Sequence, residues 1–72
     1  MITFYNIVFK SFRLNVNNIS KIISSDSPNV NINHKKRAGR LLIISIEAKD
    51  LNEIMLLQKR NWPNTRHALV KV

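Results

Sequence analysis

Residues 40–62 decide most of what this chain can fold into. The run Arg40-Leu-Leu-Ile-Ile-Ser-Ile-Glu-Ala48 is dominated by branched apolar side chains, is too short to cross a membrane, and suits a central strand. Leu42, Ile44, Ile46 and Ala48 alternate onto one continuous side, the natural core face, and leave Leu41 and Ile43 opposite them, before Ser45 and Glu47. After Lys49, the pair Asp50 and Glu53 has the spacing of a capping box, in which the Asp50 carboxylate accepts a first-turn N–H and Glu53 reaches back. Leu51, Ile54, Met55 and Gln58 then recur at helical spacing, and Lys59 and Arg60 suit the negative end of the helix dipole. Pro63 stops the helix near Asn61, and Trp62 is expected to pack at its end. A buried strand that feeds a capped helix calls for a sheet with a helix laid across it.

The chain before this stretch supplies the other layers. Ile2 to Phe12 read as a first strand with apolar residues on both faces: Ile2, Phe4 and Val8 on one, interrupted by Asn6, and Tyr5, Ile7 and Phe9 on the other. Asn15 is the expected N-cap of a short first helix, with Asn17 and Asn18 as alternatives, because Val16, Ile19, Ile22 and Ile23 follow at helical spacing; Ser24 to Pro28 close it. Asn29 to Asn33 alternate as a half-buried strand with Val30 and Ile32 inward. Next, His34-Lys-Lys-Arg-Ala-Gly-Arg40 gathers Lys35, Lys36, Arg37 and Arg40 around the only glycine, and Ala38-Gly39 is the expected tip of a protruding β-hairpin. At the far end, Asn64 to His67 lead to Ala68–Val72, read either as a fourth strand or as a tail that orders on a partner. The expected fold is α+β in a single domain, 1–72. It has an antiparallel three- or four-stranded sheet with two helices on one face, a split βαβ arrangement in the order β-α-β-β-α-(β).

Such a two-layer domain needs only one apolar face per strand, since the other meets water. The first and third strands both exceed that. Side by side, Tyr5, Ile7, Phe9, Leu41 and Ile43 would make one exposed patch, the expected protein interface. Size points the same way: a chain of 72 residues buries only roughly 60% of its unfolded surface, and oligomerisation is a common remedy. A formal charge of +8 predicts attraction to polyanions or to an acidic protein, and Lys35, Lys36, Arg37 and Arg40 are the expected nucleic-acid contacts.

The chemistry of catalysis is not assembled in these residues. There is no cysteine, His34 and His67 read as surface histidines without metal-site spacing, and Asp50 and Glu53 are already used as caps. One glycine makes no phosphate loop. The expectation is a protein that is not an enzyme by itself, with no catalytic residue, cofactor or metal. No apolar run approaches the roughly 20 residues of a membrane span, and the amino-terminus lacks a signal-peptide layout, so a cytoplasmic protein without membrane contact is expected.

The stretch Leu42-Ile-Ile-Ser-Ile-Glu-Ala-Lys-Asp-Leu-Asn-Glu-Ile54 resembles the small dimerisation subunit of the KEOPS complex, a family that includes the cancer-testis-antigen-like proteins. In that family a strand of this texture ends in an acidic or polar residue, alanine, a variable residue and Asp-Leu, as Glu47 to Leu51 do here. Over the rest of the chain the likeness is one of architecture. The resemblance implies a non-catalytic role in making the threonylcarbamoyl-adenosine modification of transfer RNA, with pairing through the sheet and helices that dock on an ATP-binding catalytic subunit. Met55 and Gln58-Lys59 stand near places where the family has an arginine and an asparagine, and Pro63 where its helix continues. Those departures fit a divergent paralogue that pairs with a second small subunit, or with itself, and meets the catalytic subunit indirectly. The alternative is a stand-alone basic RNA-binding domain of ferredoxin-like architecture, with Tyr5 and Phe9 for stacking, although Leu41 and Ile43 occupy the matching places on the third strand. A small regulatory protein that binds an acidic partner is a third reading.

Overall fold

The computed structural model describes residues 1–72. Six elements follow one another: β1 (Thr3–Lys10), α1 (Val16–Asp26), β2 (Asn31–Ala38), β3 (Leu41–Ala48), α2 (Leu51–Asn61) and β4 (His67–Lys71). The strands form one antiparallel sheet in the order β2-β3-β1-β4, and residues of both helices join its core cluster. Because β3 lies between β1 and β2, the crossover through α1 skips a strand, the mark of a split βαβ fold. The C-terminal residues are a strand, paired along β1.

Helix starts follow from side-chain caps. Asn15 Oδ1 accepts from the N–H groups of Asn17 and Asn18, at 2.8 and 3.2 Å, and satisfies donors that have no partner inside the helix. Asp50 accepts from the Asn52 N–H at 2.9 Å and caps α2 alone; Glu53 does not close the box. The inward stripe of α2 is Ile54, Leu57 and Gln58, whereas Leu51 and Met55 are 44% and 54% exposed. Leu51, Ile54, Met55, Leu56 and Leu57 nearly encircle this helix, so spacing admits more than one stripe; the way α2 leaves β3 selects between them. At the other end, Asp26 ties α1 to α2. Its carboxylate accepts from Arg60 Nη2 and Asn61 Nδ2, each at 2.9 Å.

The hairpin tip is Gly39-Arg40, one residue later than expected, with Ala38 paired to Leu41. Gly39 has φ +59°, the positive value required at the first central position of such a two-residue loop. β2 runs through the basic stretch up to Ala38, and a bulge between Ile32 and His34 leaves Asn33 without a partner in β3.

Burial corrects the expected interface. Tyr5, Ile7 and Phe9 are 9%, 0% and 0% exposed and lie opposite Ile46, Ile44 and Leu42, beneath the helices. Phe9 packs edge-on against Trp62 with ring centroids 4.9 Å apart. Leu41 and Ile43 do lie on the open side of the sheet, so the five residues are split between two faces. Asn6 gives the reason. It stands opposite Ser45, whose hydroxyl donates to Asn6 Oδ1 at 2.7 Å, and a polar pair of that kind keeps its remaining hydrogen-bonding capacity only on the wet face. The β1 face bearing Asn6 is therefore the outer one, carrying Phe4 and Val8.

Candidate functional site

The register resolves the open face into rows that cross the sheet. Ala38, Leu41, Lys10 and Arg66 form the row nearest the hairpin, with the Lys10 N–H donating to the Arg66 carbonyl at 3.0 Å. Lys36, Ile43, Val8 and Ala68 form the next. His34, Ser45, Asn6 and Val70 follow, and then Asn31, Glu47, Phe4 and Val72. Phe4 and Val70 are 48% and 49% exposed; Val8, Leu41 and Ile43 are half-buried by their neighbours alone, with no element above them. The face thus carries its cations at the hairpin end, while at the other end the exposed Phe4, Val70 and Val72 stand beside the polar Asn6, Ser45, His34, Asn31 and Glu47.

The four cations expected to contact nucleic acid do not share one face of the sheet. Arg37 lies on the helix side, in register with Leu42, and its guanidinium donates to the carbonyls of Ser11, Leu14 and Gly39. It staples the hairpin to the β1–α1 loop and is a structural residue. Lys35 also falls on the helix side, opposite Ile44, while Lys36 is on the open side, opposite Ile43. The Arg40 guanidinium lies 5.5 Å from the centroid of the exposed Phe12 ring.

Two cations missed by the linear reading complete the group. Lys10 closes β1 and Arg66 precedes β4; antiparallel pairing sets one beside the other, far apart though they are in sequence. The signal available was a strand ending in a cation and a last strand opening after one. Val8, Lys10, Leu41, Arg66, His67 and Ala68 line a cavity of about 250 Å³ between them. Arg60 is the one basic residue in an ion pair, with Asp26, so this end carries no compensating carboxylate.

His67 is a strut between elements. Its Nε2–H donates to the Trp62 carbonyl at 3.1 Å, and since a carbonyl only accepts, Nδ1 is left to accept from Gln58 Nε2 at 2.9 Å. That bond also satisfies the buried Gln58. No three His, Cys, Asp or Glu side chains converge as metal ligands, and no helix is long and apolar enough to cross a membrane. Comparison with protein-family models, curated proteins and solved structures gave no match.

Proposed function

We propose that the chain is a non-catalytic assembly subunit whose open sheet face pairs with a second small subunit, in a KEOPS-type complex that makes threonylcarbamoyl-adenosine on transfer RNA in the cytoplasm. The observation that carries this reading is the exposed apolar surface of Phe4, Val70 and Val72, near the half-buried Ile43, on a sheet face that no element covers. The residues that resemble the KEOPS subunit form β3 and the start of α2, where the resemblance needs a strand and a helix. A charge of +8 opposes pairing with a second copy and favours a less basic paralogue as the occupant. Contact with the ATP-binding catalytic subunit is then indirect, and the cationic end is free for transfer RNA.

The test is affinity purification from the native host with identification of the co-purifying chains. The expected result is a small paralogue together with an ATP-binding subunit, both lost with Phe4→Asp. Recovery of neither with the unaltered chain overturns the reading. The gathering of Lys10, Lys36 and Arg66 favours a second reading, a stand-alone RNA-binding domain, which predicts RNA without protein partners.

A further inference from the structure

Lys10 and Arg66 face each other on neighbouring strands, and like charges so placed cost stability. Neither has a carboxylate partner. Val8, Leu41 and Ala68 provide an apolar floor between them, in the cavity of about 250 Å³, and Lys36 stands on the adjoining row. The Ser11 N–H donates to the Arg40 carbonyl at 2.9 Å, which brings Phe12 to this same end. Phe12 is 69% exposed as a residue, with the Arg40 guanidinium over its ring.

Point charges on a rim, an apolar floor and an exposed aromatic ring match one class of ligand. A single-stranded polynucleotide presents phosphates at intervals and has unpaired bases that gain by lying on an apolar or aromatic surface. A duplex hides its bases and would use the charges alone. An acidic peptide would leave Phe12 without a flat partner. We propose that this end of the molecule binds an unpaired stretch of polynucleotide, with phosphates on Lys10, Lys36 and Arg66 and a base against Phe12. The inference rests on the reading in which transfer RNA reaches this subunit, and it assigns the contact to an unpaired segment of the RNA.

Fluorescence anisotropy of the full chain tests it, with labelled single-stranded RNA, the same sequence as DNA, an RNA duplex of equal phosphate number, and polyglutamate as competitor. The single strands are expected to bind at least about tenfold tighter than the duplex, because stacking adds to the charge contacts. Three phosphate contacts give a slope of log affinity against log salt of about −2, and Lys10→Ser with Arg66→Ser takes away about 1.4 of it. Phe12→Ala weakens binding about tenfold and leaves the slope unchanged. Equal binding of RNA and DNA assigns recognition to phosphate and base, and a preference for RNA adds a ribose hydroxyl contact; both support the proposal. A duplex that binds as well as a single strand, efficient competition by polyglutamate, or an unaltered slope in the double variant overturns it. Phe4→Asp, which removes the pairing face, is expected to keep full affinity, so loss of assembly and loss of polynucleotide binding are read separately. Circular dichroism of each variant establishes that it is folded.

Discussion

Val8 and Phe9 are neighbours in sequence on opposite faces of β1, and truncating each to alanine tests which face is covered. Phe9 is 0% exposed, touches Trp62 edge-on at 4.9 Å, and lies over Leu42 in the pairing with β3. Its removal leaves a cavity that close-packed neighbours fill only in part, at a cost of about 3–5 kcal/mol. A chain of 72 residues has a total stability of about 4–11 kcal/mol on the usual scale per residue, so Phe9→Ala removes a large share of it. Val8 stands on the open face between Ile43 and Ala68, and with no layer above it Val8→Ala costs about 1 kcal/mol or less. Urea denaturation followed by circular dichroism reads both, and an unchanged slope with a shifted midpoint identifies a change in stability alone. The expected order is a small shift for Val8→Ala and a large one for Phe9→Ala. Equal losses, or the reverse order, would refute the pleat assigned to β1 and with it the composition of the open face.

Two further outcomes are expected. Ser27 is 0% exposed and its hydroxyl has no hydrogen-bond partner; Ser27→Ala removes an unmet desolvation cost and should stabilise by about 1 kcal/mol, raising Tm by about 4–8 °C. A destabilised variant in differential scanning calorimetry would mean the hydroxyl is bonded after all. The hydrogen bond from Arg60, then that from Asn61, holds the Asp26 carboxyl below the ordinary aspartate range. A folded value below the unfolded one contributes stability that is fully present above the unfolded pKa of about 4 and is lost as pH falls through the folded value. Asp26→Asn should flatten that acid limb in urea midpoints measured from pH 6 to pH 2, and an unaltered limb would show that Asp26 does not contribute to it.

Local chemistry made much of this fold readable. Asn15 and Asp50 cap where their side chains can reach first-turn N–H groups, Leu42 to Ala48 alternate with one consistently apolar side, and Trp62 ends its helix in the core. The face of β1 was not readable from apolarity, because Phe4 and Val8 rival Tyr5, Ile7 and Phe9; only pairing with β3 and β4 decides, and Asn6 was the clue. The charged hairpin was equally misleading as a line of letters. A strand sends successive side chains to opposite sides, so four neighbouring cations part company while Lys10 and Arg66, from distant segments, come together.

The unpaired Asn33 acts as a phase shifter. Ile32 pairs with Ile46 and His34 with Ser45, and this single supernumerary residue inverts the side to which every later position of β2 turns. Were Asn33 in step, Arg37 would swing to the exposed surface and the carbonyls of Ser11 and Leu14 would lose their brace, while the Lys36 amine would be carried round toward the helices. One additional peptide unit therefore separates the hairpin's fixed strut from its free amine, and the outer charge pattern depends on a small irregularity in the backbone as much as on the basic side chains themselves.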